Sequence, residues 1–268
     1  MKPGILAVAT VVLLAGCATT TSSTGRKQYV GGVSQEQLNQ LGAQAFVEAK
    51  TKGPLSKDAK QNAYVTCVVN ALVRQLPASA QGIAWETAVF SNQEPNAFAL
   101  PGGKVGVNTG LFTVAKNQEQ LAAVLAHEIG HVVENHHDER ITRQMGASSL
   151  VQLAGIAAGA KYGQGATNTV NQLGGLTVQG AFLLPGSRTQ ESEADVVGQK
   201  LMAQAGFDPA QAVALWENMI AAGSGRSPEW LSTHPDPQSR IQELRGRAAT
   251  LQGTYQEAKA AGRRPQCG

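Results

Sequence analysis

The sequence predicts an α+β fold, predominantly helical, with a small β-sheet beside one long apolar helix. Three observations predict it. Apolar residues recur at helical spacing, as in Tyr64, Val65, Val68, Val69, Leu72 and Val73. Convincing β signals are confined to residues 83–90, "IAWETAVF", and 96–110, "NAFALPGGKVGVNTG". Finally, 268 residues with 42 % apolar and 15 % charged content suit one generous domain, or two small ones, with an ordered core.

The first residues read as a targeting segment rather than as structure. Lys2 supplies a positive start, residues 5–15 form a short apolar run, and small residues precede Cys17. That run is too short to span a bilayer comfortably. Leu14-Ala15-Gly16-Cys17 resembles a bacterial lipobox, which implies removal of residues 1–16 as a signal peptide and a lipid on Cys17. An ordinary secretory signal with a chance cysteine is the plainer alternative. Ala18 stands where an aspartate would resemble an inner-membrane retention signal, so the expectation is an outer-membrane lipoprotein facing the periplasm. Residues 17–33 are small, polar and Gly-rich, and read as a flexible tether to a domain over 34–252.

Within that domain, Ser34 and Gln37 form a capping-box pattern that opens a helix to about Lys50, and Gly53-Pro54 ends it. Ser56 is placed to cap a second helix running towards Pro77. The β region is split by Pro101-Gly102-Gly103, which assigns its runs to an edge or hairpin. A long helix is expected from Asn117 to about His137. Residues 145–184 carry only Lys161 as a charge, but polar residues from Gln152 to Gln179 interrupt them too often for membrane spans. Two soluble helices packed through small residues are expected there. No helical-repeat period appears, and residues 253–268 read as a C-terminal tail. Cys67 and Cys267 stay open: an oxidising compartment permits a disulfide, and one buried thiol with one loose terminal thiol is the alternative.

A net charge of +3, with its longest basic pairs at Arg26-Lys27 and Arg263-Arg264, gives no nucleic-acid footprint. The chemistry is concentrated elsewhere. Four of the five histidines lie in "HEIGHVVENHH", residues 127–137. His127 and His131 are four apart and share a helix face, so both can ligate one Zn²⁺. Glu128 lies near the same face and can act as general base towards a water. A third protein ligand is needed. His137 almost completes a HExxHxxGxxH pattern, but Glu134 replaces the turning glycine; the helix is then expected to continue and carry His137 away. The better donor lies in "SRTQESEADVVG", residues 187–198. Glu191 and Asp195 share a face there, while Glu193 points nearly opposite. Glu191 then reaches the zinc, and Asp195 holds a ligating histidine from behind.

HEIGH followed by SRxxExEAD, with "NAFALPGGKVGVNTGL" upstream and "THPDPQSRIQEL" downstream, resembles the zinc metallopeptidase family of the membrane protease HtpX and the CAAX prenyl protease. The match is narrower to its periplasmic lipoprotein branch, without transmembrane helices or a helical-repeat tail. It spans about residues 55–250. The resemblance implies a zincin of the gluzincin type, with the small sheet beside the active-site helix. It implies His127, His131 and Glu191 as ligands of one Zn²⁺, Glu128 as catalytic base and Asp195 as the supporting aspartate. His234, in the THP segment, is expected to donate to the oxyanion of the transition state; the opposite role, filling the metal's open position, is the alternative. His136-His137 departs from the family, where a single histidine is usual.

The expected function is a zinc metalloendopeptidase at the outer membrane that degrades misfolded or misassembled envelope proteins. Its partners would be extended or unfolded polypeptides, the membrane through Cys17, and the outer-membrane assembly machinery. A peptide would pair with a free strand edge at residues 97–100 or 105–108. The alternative is a chaperone-like or adaptor lipoprotein with a mostly silent zinc site.

Overall fold

A computed structural model describes residues 18–148, 187–222, 234 and 237–268. The signal segment, Cys17 and nearly all of the 145–184 stretch lie outside the described residues.

Helix α1 (Gln35–Lys52) opens at the capping box, with Ser34 accepting from Gln37 N–H and Gln37 reaching back. Helix α2 (Ala59–Val73) starts two residues later than expected. Asp58 caps it by accepting from the N–H groups of Lys60 and Gln61, while Ser56 Oγ instead accepts from Asp58 N–H. Val65, Val68, Val69 and Leu72 all face inward, as their spacing requires.

The main sheet has three strands, β3 (Glu86–Phe90), β4 (Ala97–Leu100) and β5 (Lys104–Asn108), in the order β3-β5-β4. Strands β3 and β5 are parallel, with Glu86 opposite Lys104; β4 and β5 are antiparallel, with Ala97 opposite Val107. The β4–β5 turn holds Gly102 and Gly103 at φ 76° and 75°, a left-handed pair that glycine adopts without steric cost. Because β5 is central, residues 105–108 have no free edge, which removes one of the two expected docking strands. Among the described residues β3 and β4 are the edge strands, and β4 packs against helix α3 (Gln118–Val133).

Helix α3 is buried over every residue from Gln120 to His131 and forms the centre of the molecule. Against it lies α4 (Arg188–Ala205), closed by Gly206 in the left-handed conformation. The two backbones approach closely at Gly198, where an added Cβ would lie 2.9 Å from His127 N. Helices α5 (Gln211–Ala222), α6 (Pro237–Thr250) and α7 (Gln252–Ala260) pack around this pair. Among the described residues no helix is long and apolar enough to cross a membrane.

The N-terminal segment is more ordered than the sequence expectation, and the C-terminal one takes the disulfide alternative. The segment read as a tether forms an antiparallel hairpin, β1 (Ala18–Thr21) with β2 (Lys27–Val30). It is ordered because its turn finds buried polar partners. Ser23 donates from N–H and Oγ to Glu134, and Arg26 pairs with Glu139 and Glu193. The tail is held too: Cys267 is bonded to Cys67, and its N–H donates to Gln118 Oε1 at the start of α3.

Candidate metal centre

His127 and His131 project from one face of α3, and their Nε2 atoms lie 3.1 Å apart. Glu191 enters from α4, with Oε2 3.3 Å from His127 Nε2 and Oε1 3.5 Å from His131 Nε2. His234 adds its Nδ1, 3.1 Å from His127 Nε2 and 2.7 Å from Glu191 Oε2. These four buried residues are the group among the described residues that offers convergent metal-ligand atoms. The spacing fits an ion: two ligands each about 2.05 Å from a tetrahedral zinc stand ~3.3 Å apart. Glu191 Oε1 supports the same fit, being buried without a hydrogen-bond donor among the described residues. A buried carboxylate oxygen in that state is costly unless a cation satisfies it. Two imidazoles and a carboxylate are a zinc donor set.

Around this group lies a second ring of polar contacts. Asp195, one turn along α4 from Glu191, accepts from His127 Nδ1 at 2.9 Å, which leaves Nε2 as the lone-pair atom facing the cluster. Asp195 is itself gripped by Arg240 of α6, whose Nε and Nη2 donate at 2.6 and 2.7 Å. Arg240 also donates to Glu191 Oε2 at 3.2 Å and stacks over Trp216 at 4.1 Å. Burial alone would raise the pKa of Asp195, but the Arg240 guanidinium holds it well below the usual carboxylate range. Arg240 lies inside the downstream segment that carries the family resemblance, yet residue type alone gave it no role.

Glu128 Oε1 is 3.3 Å from His234 Nε2. Burial opposes its ionisation, but His234 and the two α3 histidines outweigh that and hold its pKa at about 2. His234 responds in the opposite sense. Burial pushes it down, while Glu191 and Glu128 on either side draw it up to about 9. His131 has less compensation, and burial takes it to about 3. The structure therefore brings Glu128, His127, His131, Glu191, Asp195 and His234 into one cluster.

The path of the chain after His131 corrects one expectation. The α3 helix does not run on through Glu134. It ends at Val133, and Asn135 turns the chain at φ 54° before helical residues 136–148. Asparagine tolerates that left-handed conformation better than most non-glycine residues, so the turn forms without the metzincin glycine. His137 nevertheless does not join the metal group. The turn instead brings His136 onto His131, with the two Nδ1 atoms 2.7 Å apart. Glu193 does face away from Glu191, but it is buried and accepts from His136 Nε2 at 2.9 Å.

Sequence comparison agrees with this geometry. Residues 59–248 match the family model described as Peptidase family M48. The chain belongs to that family. Among curated relatives, the mitochondrial metalloendopeptidase OMA1 of Schizosaccharomyces pombe is 40 % identical over 164 residues, covering 60 % of this chain and 46 % of that protein. OMA1 of Arabidopsis thaliana is 36 % identical over 164 residues, covering 61 % of this chain and 32 % of that one. The beta-barrel assembly-enhancing protease of Escherichia coli is 32 % identical over 239 residues, covering 86 % of this chain and 45 % of that protein. The chain thus spans under half the length of these relatives. In this M48 chain the family match runs from α2 through α6 and includes every residue of the cluster.

Proposed function

We propose that this chain is a zinc-dependent endopeptidase that hydrolyses extended or unfolded polypeptides. The observation that carries the reading is the buried Glu128 beside a convergent His127, His131 and Glu191 donor set. Those three would hold one zinc, which when bound polarises a scissile carbonyl and acidifies water. Asp195, fixed by Arg240, keeps His127 in the ligating tautomer. Glu128 accepts the proton of the attacking water and delivers it to the leaving amine.

The edge that a substrate strand would pair with is β4, where Ala97 and Ala99 are buried and must first be uncovered. Asn108 N–H donates to Asn96 O, so in this register the backbone groups of Ala97 and Ala99 point away from β5. A peptide adding to that edge would be recognised mainly through its main chain, which selects unfolded segments over particular sequences.

The cysteine at the end of the signal segment supports a lipid-anchored protein at the periplasmic face of the outer membrane, and the Cys67–Cys267 bridge suits an oxidising compartment. Likeness to a protease named for β-barrel assembly supports misassembled envelope proteins as substrates and the assembly machinery as a partner. His234 gives a specific reason to retain the second reading, an adaptor or chaperone with a mostly silent site. Its Nδ1 occupies the position where a fourth ligand would stand. Glu128→Gln separates the two. The endopeptidase reading expects a folded, zinc-loaded variant that no longer cleaves casein and no longer complements a deletion strain. Full complementation by that variant favours the adaptor; casein cleavage at the wild-type rate overturns the mechanism.

A further inference from the structure

His131 is supported differently from its fellow ligand. His127 Nδ1 meets a carboxylate directly, whereas His131 Nδ1 meets another imidazole, His136 Nδ1, at 2.7 Å. Two ring nitrogens at that separation share one proton, and the far side of His136 decides which ring carries it. His136 is fully buried, and its Nε2 lies 2.9 Å from Glu193 Oε2. Glu193 also accepts from Arg26 Nε at 2.7 Å and from Thr24 Oγ1. A carboxylate facing a guanidinium is ionised and can only accept. His136 therefore carries its proton on Nε2, and its Nδ1 accepts. His131 must then donate from Nδ1, which leaves Nε2 with the lone pair directed at His127 Nε2 and Glu191.

Each choice along this chain is set by the one before it, and the first is Arg26 in the β1–β2 turn. The guanidinium is held in a fixed geometry: Nη1 and Nη2 donate to the two oxygens of Glu139 at 2.9 and 2.8 Å, while Nε donates to Glu193 Oε2, which also lies 2.6 Å from Nη2. Gln190 and Arg143 donate to Glu139 from the other side, so the fork has a rigid base.

We propose that Arg26 is a positioning residue of the metal centre, fixing the tautomer and ring orientation of His131 through Glu193 and His136. The hairpin that follows Cys17 is then part of the site rather than a leash. The inference rests on the metal reading above. It also gives Glu193, which the sequence places on the face opposite Glu191, a part in holding zinc: without it the ion is held, but more weakly.

The test is zinc affinity of the purified full chain, measured by competition with a chromophoric chelator, together with the visible spectrum of the Co²⁺-loaded protein. Arg26→Ala and Glu193→Gln are each expected to weaken zinc by about 10–100-fold and to alter the cobalt spectrum. The double variant should lose little more, because both act through one relay. Arg26→Lys keeps the charge but not the fork, and should recover only part of the affinity. Glu134→Ala is the control, since Glu134 anchors the same turn through Ser23 without touching Glu193. Wild-type affinity and spectrum in Arg26→Ala would overturn the proposal, as would an equal loss in Glu134→Ala, which would assign the effect to a loosened hairpin. If Arg26→Ala fails to fold, the near-isosteric Glu193→Gln carries the same test. Failure of the wild-type chain to bind zinc would sink the metal reading itself.

Discussion

Single residues in this site act through the atom each one presents. Glu191 places its carboxylate against both α3 histidines, so Glu191→Ala removes a proposed ligand and is expected to abolish stoichiometric zinc by metal analysis. A zinc-loaded Glu191→Ala would mean that another group supplies the third ligand. His234 is the residue for which the geometry bears on the choice between its two expected roles. Sequence reasoning favoured oxyanion donation, but here Nδ1 stands within the ligand group while Nε2 faces Glu128. In this conformation Nδ1 stands where a fourth ligand would, so we propose that His234 acts as a gate and must withdraw before it can donate. His234→Ala should therefore keep zinc and raise peptide hydrolysis, on the order of tenfold if closure is worth about 1.4 kcal/mol. A fall in kcat with zinc retained would restore the donor role. HExxH was legible because its spacing is a direct consequence of helical pitch. Arg240 and the His136–Glu193 pair were not, since a solvated arginine or glutamate has the same letter as a buried one. Only the packing of α6 and the Asn135 turn distinguishes them.

At the scale of elements, the centre depends on how closely two helices approach. Glu191 and Asp195 reach α3 because Gly198, one turn beyond Asp195, lets the α4 backbone lie against His127 and Ala126. An alanine there would place Cβ 2.9–3.1 Å from main-chain atoms that cannot swing aside. Gly198→Ala is expected to cost about 1–3 kcal/mol in a denaturation curve and to weaken zinc, because the shift separates the two ligand helices. A variant with wild-type midpoint and zinc affinity would show that the helices slide apart without consequence. The helices α1 and α2 and the β4–β5 turn were readable from caps, apolar period and Gly-Gly chemistry. The β1–β2 hairpin was not. Its sequence is that of a linker, and its order comes from long-range partners, Glu134, Glu139 and Glu193, that no local pattern reveals. Those pairs also set its pH response. Burial opposes ionisation of Glu139 and Glu193, but hydrogen bonds, from Arg26 foremost at Glu139 and from His136 foremost at Glu193, outweigh it and depress both pKa values. A depressed carboxylate stabilises above its unfolded pKa and loses that contribution as pH falls through the folded one. Hairpin docking should therefore be full at neutral pH and fail only below the ordinary carboxylate range. Rising protease sensitivity of this segment between pH 8 and 6 would contradict it.

Across the whole molecule, one covalent bond ties the last residues to the second helix. Cys67 faces the tail from α2, and the bridge joins positions separated by 200 residues, with Cα atoms 5.5 Å apart. Almost the whole domain lies inside that loop, including both ligand helices. In the chain-entropy account, closing a loop of this length restricts the unfolded ensemble by about 5 kcal/mol, although bridges in practice contribute roughly 2–5 kcal/mol. The native contacts around the bridge do not depend on it alone. Gln118 grips the tail twice, donating from Nε2 to Pro265 O and accepting from Cys267 N–H. His127 and His131 lie two to four turns further along α3, at the opposite end of that helix from Gln118. Stability and metal binding should consequently separate. Cys67→Ser is expected to lower unfolding free energy by about 2–5 kcal/mol in urea while leaving zinc affinity at 25 °C within twofold of wild type. Equal stability in the reduced and oxidised chains would mean that the tail contacts alone hold this end of the fold. Loss of zinc affinity in a still-folded Cys67→Ser would instead show that the bridge transmits strain along α3 to the ligands.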